Sequence, residues 1–260
     1  MWSLSTPTWH VGLSPQGLTL AQPAARWLGR TADFDNIHCE PDAAGLQGEP
    51  WQQAVTALAQ WLSEKGGKKP TLHVALAGRF VRWQLLPWQA EVTRPKELGA
   101  YAALRFHETF GKTACDWQVM HSPQPPGQTV PACAVDAALI AALRSTCDVA
   151  GARLATVVPH YACAFDRWRH ALNKPSAWFG LIEPDCVSLG LLQGGRWLGL
   201  RSQRVDAHWR EALPGMMAQM GIAVGLTEAA VPLYLTGNGD APQPVPALDF
   251  TWLASQAHGT

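Results

Sequence analysis

TLHVALAGRFVRWQLLPW, running from Thr71 to Trp88, reads as two strands about a turn at Gly78, closed by Pro87 ahead of a helix. Pro95 fits the first turn of that helix, Leu98, Ala102, Phe106 and Phe110 recur on one face of it, and Gly111 ends it. Upstream, Trp51, Val55, Leu58 and Leu62 mark another helix that stops at Gly66 and Gly67, after a loop-rich section with Pro41, Gly45, Gly48 and Pro50. The chain opens with a hairpin pattern, HVGL from His10 and LTLA from Leu18, joined by a turn over Ser14 to Gly17.

Downstream, DWQVMHS reads as a strand and SPQPPGQTVP, Ser122 to Pro131, as a loop. From Ala132 the order is strand, helix, strand, helix. The first helix carries Leu139, Ala142, Leu143 and Thr146 and ends near Gly151; LATVV, Leu154 to Val158, precedes a helix with Phe165, Trp168 and Leu172 on one side. Asn173 to Ser176 reads as a boundary between lobes. Beyond it, WFGLIEP, CVSLGLLQ and RWLGLRSQ form a meander with a turn at Gly194-Gly195. A helix through Trp209, Leu213, Met216 and Met220, bent at Pro214, leads to VPLYLTGNG and a proline-rich tail containing LDFTWLA. A hairpin-led sheet followed by helix occurs in both halves, which predicts a two-lobed α/β architecture.

Composition narrows the function. At 260 residues and 47% hydrophobic content the chain can bury a substantial core. Twenty basic residues balance twenty acidic ones and only 15% of residues are charged, so no field exists to gather phosphate backbones or anionic lipid. Nucleic acid is excluded as an expected partner. Six scattered cysteines, without a CxxC pair, read as reduced and mostly buried thiols. No signal-peptide pattern opens the chain and no run has the length of a membrane span, so the cytoplasm is the expected compartment. Thirteen tryptophans are many for this length; the rings are expected chiefly in the core, with an interface cluster as the alternative.

The order of these elements resembles the actin-like proteins of bacterial pilus and secretion platforms, PilM of type IV pili and the cytoplasmic domain of the type II secretion L protein. In that family a hairpin running into Leu-Pro, followed by an amphipathic helix, opens a subdomain called 1C; Gly78, Val81, Leu86 and Pro87 match it, followed by Glu97 to Gly111. ACAVDAALIAALRSTCDVAGARLATVVPHYACAF, Ala132 to Phe165, matches the family's strand, helix, Ala-Gly, strand and helix. The meander matches Trp178 to Arg201, and Leu235, Thr236, Gly237 and Asn238 match a Leu-Thr-Gly-Gly segment. The resemblance implies a two-lobed actin-like, ribonuclease H-like fold. Residues 1–175 would form the first lobe, 1A, with a 1C-type subdomain at about 77–150. Residues 176–260 would form the second lobe, 2A, with a reduced 2B region.

Actin-like ATPases hold a nucleotide with hairpin turns whose backbone N–H groups embrace the phosphates, while an acid on each hairpin organises Mg²⁺ and water. Glycine is needed for close approach and oxygen ligands for the cation. The family's Gly-x-Asp-x-Gly aligns with Gly12, Leu13, Ser14, Pro15 and Gln16: Ser14 replaces the acid, Gln16 replaces a glycine and Pro15 removes a donor. The second hairpin's Asp-x-Gly aligns with Glu183, Pro184 and Asp185. There an acid is kept, but Asp185 in place of glycine would repel a phosphate. Only the third element, Thr236, Gly237, Asn238 and Gly239, keeps its pattern, and an ordinary Gly/Asn turn accounts for it equally well. ATP hydrolysis is not expected, and no cofactor is; ATP with Mg²⁺ is the alternative.

Other motifs lead nowhere specific. Gly111-Lys112-Thr113 ends a helix instead of beginning one, and Phe106 stands where a phosphate-binding loop needs its first glycine. GGKKPT at Gly66 is a basic turn. The nine histidines show no HExxH and no pair at i, i+4 on a clear helix, so no metal site is expected. Ser14 lacks the second glycine of a nucleophile elbow. A cysteine nucleophile with a distant histidine stays open as a third reading.

The resemblance implies a non-enzymatic cytoplasmic scaffold, peripheral to the inner membrane through a protein partner, with an active actin-like ATPase as the alternative. PilM grips a short N-terminal segment of the bitopic membrane protein PilN in a groove between 1A and 1C. By that resemblance a PilN-like protein is the expected partner, other platform proteins and self-association are further possibilities, and the groove would involve the 1A hairpin and the Thr71 to Phe110 region. Trp83, Trp88, Tyr101 and Phe106 are the expected lining.

Overall fold

The computed structural model describes residues 7–22, 33–39, 49–64, 69–92, 94–172, 174–205, 209–228, 230–237 and 248–254. Gly66, Gly67, Asn173, Asn238 and Gly239, to which the sequence assigns stops, a boundary and turn positions, lie outside the described residues. The chain divides into two compact units, Met1–Phe80 with Val135–His160, and Val81–Ala134 with Tyr161–Thr260.

The first unit is a five-stranded sheet in the order β3-β2-β1-β4-β8. Its strands are β1 (Thr8–Ser14), β2 (Gly17–Gln22), β3 (Asp33–His38), β4 (Thr71–Leu76) and β8 (Arg153–Pro159). β1 pairs antiparallel with β2 and parallel with β4, and β4 pairs parallel with β8. Alternation decides which side is covered: Trp9, Val11 and Leu13 of β1, and Leu72, Val74 and Leu76 of β4, point inward and are buried. Two helices supply the opposing apolar faces. α1 (Gln52–Glu64) buries Ala54, Val55, Leu58, Trp61 and Leu62, and α3 (Ala137–Val149) buries Leu139, Ile140, Leu143 and Cys147. Trp9 and Trp61 meet edge to face, with ring centroids 4.9 Å apart. Asp136 caps α3 by accepting from the Ala138 N–H at 2.8 Å, and its other oxygen accepts from Trp51 Nε1 at 3.3 Å.

The stretch from Thr71 to Trp88 is not a hairpin. β4 runs through the first unit's sheet, one turn of 3-10 helix follows at Gly78–Phe80, and β5 (Val81–Leu86) then enters a separate three-stranded sheet ordered β5-β7-β6. Leu72, Val74 and Leu76 are completed by β1, β8 and the helices, so the apparent turn is where the chain leaves one unit for the other.

In the second unit, β6 (Trp117–His121), β7 (Val130–Asp136) and α2 (Pro95–Phe110) enclose a core of Leu86, Ala102, Phe106, Ala114, Val130, Ala132 and Ala134. A second sheet, in the order β11-β10-β9-β12-β13, contains β9 (Ser176–Glu183), β10 (Cys186–Gln193), β11 (Arg196–Arg204), β12 (Leu233–Gly237) and β13 (Phe250–Trp252). β9 and β10 are buried on both faces and so read as near-continuous apolar runs. One face packs Leu189, Leu191 and Leu235 against Leu213, Met216 and Met220 of α5 (Trp209–Val224), which contains Pro214. The other packs Phe179, Leu181 and Trp197 against Tyr161 and Ala164 of α4 (His160–Trp168). Trp83 and Leu85 of β5 join that cluster, which ties residues 81–134 to the second half of the chain.

Candidate functional site

Several polar groups of the described residues in the three nucleotide-type loops are engaged by the fold. In the β1–β2 turn, Ser14 Oγ donates to the Gly17 carbonyl at 3.2 Å, and the Gln16 carbonyl accepts from the Cys39 N–H at 2.8 Å. Gln16 Oε1 is a buried acceptor with no hydrogen-bond partner. Gly12 lies within β1, paired with Thr19 and Ala75.

In the second unit, Glu183 is buried at the end of β9, and Pro184 and Asp185 form the turn into β10. The Asp185 carbonyl accepts from the Val205 N–H at 3.1 Å. β12 runs parallel to β9 with Thr236 opposite Leu181 and Gly237 opposite Ile182, so these residues and Glu183 share one end of the sheet. Thr236 is buried and donates through Oγ1 to the Leu253 carbonyl at 2.8 Å.

The four aromatic candidates separate. Phe106 is 0% exposed and stacks on Phe110 with centroids 5.9 Å apart, which leaves it no surface to offer a partner. Trp83 is packed in a core cluster, edge on to Tyr161 at 5.8 Å. Trp88 is 46% exposed and Tyr101 is half-buried, and both line one surface groove of about 330 Å³. Pro87 ends β5 and turns the chain so that Trp88 leaves the sheet; Pro95 and Leu98 come from the first turns of α2, and His121 and Pro123 from the end of β6. The first turn of α2 is fixed by the Arg94 N–H donating to Glu97 Oε2 at 3.0 Å. Gln89 Nε2 reaches the Tyr101 hydroxyl at 3.5 Å, and His121 Nδ1 is buried without a hydrogen-bond partner. An apolar lining with a few polar side chains is the chemistry of a peptide-binding groove.

Thiol chemistry fares worse. Burial pushes the Cys133 thiol up to about 12, and burial with Asp148 pushes Cys147 up to about 11, so neither is a thiolate near neutrality. Cys115 lies 3.6 Å from His107 Nδ1, with both side chains exposed. Among the described residues no group of three or more His, Cys, Asp or Glu converges as a metal site, and no helix is long and apolar enough to cross a membrane.

No protein-family model matches the chain, and no curated protein matches it. Solved structures do. A Bacteroides thetaiotaomicron protein of unknown function, described as having an actin-like ATPase fold, aligns with TM-score 0.60 at 13% identity, over 91% of this chain and 85% of that one. The fold is actin-like. The cytoplasmic domain of EpsL, an inner-membrane component of the Vibrio cholerae type II secretion system, shares the actin-like fold of this chain with TM-score 0.60 and 12% identity, over 95% and 89% of the two chains. A PilM–PilN type IV pilus biogenesis complex aligns with TM-score 0.58 at 16% identity, over 90% and 82%. In an actin-like chain the three loop segments above are where a nucleotide would be sought. Sequence comparison exposed their substitutions but not the hydrogen bonds that occupy them. It also missed His121 and the prolines of the groove, whose only signal was proximity to a proline-rich loop.

Proposed function

We propose that this chain is a non-enzymatic scaffold of a type IV pilus or related secretion assembly platform, and that it holds the cytoplasmic segment of a PilN-like inner-membrane protein. The observation that carries the reading is the groove lined by the exposed Trp88 and the half-buried Tyr101, beside the first turns of α2. It belongs to the segment that resembles the 1C subdomain. The actin-like fold shared with EpsL and with PilM in its complex with PilN supports the assignment, and the engaged loops at Ser14, Gln16 and Thr236 argue against nucleotide turnover. On this reading residues 1–175 form the first lobe, about 77–150 its 1C-type subdomain, and 176–260 a second lobe with little of 2B. The protein sits in the cytoplasm and reaches the inner membrane through its partner.

An extended segment can place apolar side chains against Trp88 and Tyr101, where truncating a central aromatic costs more than about 1 kcal/mol of binding. The test uses a fluorescent peptide of the cytoplasmic segment of a PilN-like membrane protein. Trp88→Ala and Tyr101→Ala should each weaken binding about five-fold or more, without lowering the melting temperature. Binding unchanged in the double variant would remove this groove as the partner site.

A further inference from the structure

One side of the first unit's sheet is covered by α1 and α3; the other presents His10, Thr19 and Thr156 as exposed residues. On that side the register sets His10 of β1 opposite His73 of β4, and His73 opposite Thr156 of β8. The imidazoles lie nearly parallel, 22° between planes and 5.3 Å between centroids. His73 Nδ1 is 2.9 Å from Thr156 Oγ1.

We propose that His10 and His73 form a two-imidazole site for a divalent transition-metal ion of the zinc, nickel or copper class. Imidazole suits these ions, and the parallel register of β1 with β4 sets the two rings side by side. Side-chain rotation from the stacked arrangement then brings one nitrogen of each ring to the roughly 2.0–2.1 Å that such ligation needs. Ligation also needs neutral rings. In the tautomer whose His73 Nδ1–H donates to Thr156 Oγ1, the lone pair resides on Nε2, the outer-shell arrangement that orients a ligating imidazole. No third His, Cys, Asp or Glu converges among the described residues, so the ion's remaining positions stay open to water or to a group from another molecule. The pair escapes sequence inspection because spacing rules look for ligands on one helix, whereas here two strands distant in the chain bring them together.

Aromatic stacking alone would hold the two rings without any affinity for metal, and a zinc titration separates the cases. ZnCl2 is added to the protein in a Cys115→Ser/Cys163→Ser background, which removes the exposed thiols. Calorimetry follows binding, and nitrogen-15 resonances of labelled histidines report the ligands. The expected result is one Zn²⁺ per chain at micromolar affinity, with His10 and His73 shifting first. His10→Ala or His73→Ala should weaken binding about ten-fold or more, and Thr156→Val several-fold, with melting temperatures unchanged. No saturable binding, or binding unaltered in the His10→Ala/His73→Ala variant, would overturn the proposal.

Discussion

The carbonyl oxygen of Ile182 stands 2.6 Å from the place a Cβ on residue 237 would occupy, so Gly237 is required by the pairing of β9 with β12. The Trp252 ring closes the same space at 3.1 Å. Beside it, Thr236 gives its hydroxyl proton to the Leu253 carbonyl. The segment that most resembles a phosphate loop in sequence thus has packing reasons for both of its described residues. Gly237→Ala should destabilise the protein by about 1–3 kcal/mol through overpacking against backbone that cannot swing away. Thr236→Val, which leaves the Leu253 acceptor unmet, should cost about 1–3 kcal/mol. Urea unfolding checks both as a lower midpoint at constant slope. A Gly237→Ala protein of wild-type stability would return the glycine to a functional explanation.

The same loops predict the outcome of a nucleotide titration. Ser14 and Thr236 donate their hydroxyl protons to carbonyls, and Pro15 and Pro184 lack N–H groups. Calorimetry with ATP and Mg²⁺ should show no saturable binding in the micromolar range. Micromolar, Mg²⁺-dependent binding would mean that the loops rearrange to receive phosphate.

Phe106 and Trp88 were equal candidates as aromatic residues and are unequal in the fold. Phe106→Ala empties a fully buried site among Leu86, Ala102 and Val130, at about 3–5 kcal/mol. Trp88→Ala removes a half-exposed ring, and its effect on stability should stay within about 0.5 kcal/mol. Denaturation of the two variants side by side reads the difference. A large loss from Trp88→Ala would place that ring in the core and disqualify it as a binding surface.

How much of this was legible follows from what each signal encodes. Strand-like runs found β1 and β2, and helical spacing found α1, α2 and α5, because these patterns depend only on local geometry. Pairing is not local. TLHVAL and VRWQLL are near neighbours with strand patterns, yet β4 is completed by β1 and β8, and β5 joins a sheet with β7. Within α2 the spacing set Phe106 in line with Ala102 and Leu98, which marks the buried stripe; it is Tyr101, off that line, that reaches the groove. The facing of His10 and His73 depends on the parallel register of β1 with β4, which no spacing within the sequence contains.

The His10 ring gives a pH dependence of definite sign. Its folded pKa is held below the ordinary 6.5, first by desolvation and second by His73. Above about pH 6.5 the ring is neutral in both folded and unfolded chains and contributes no slope. As pH falls through 6.5, the unfolded chain takes up the proton first, so stability declines until the folded ring titrates as well. The ring is largely exposed, and solvent screening keeps the effect small. Carboxylates titrate nearby in pH, so the quantity to measure is the difference between wild type and His10→Gln in urea unfolding at pH 7.5 and pH 5.5. Wild type should lose more stability than the variant over that interval. Histidine NMR titration should give His10 a pKa below 6.5 that moves part of the way back in His73→Ala, since desolvation, the larger cause, remains. A His10 pKa at or above 6.5 would contradict both the burial and the ring contact from which the sign was drawn.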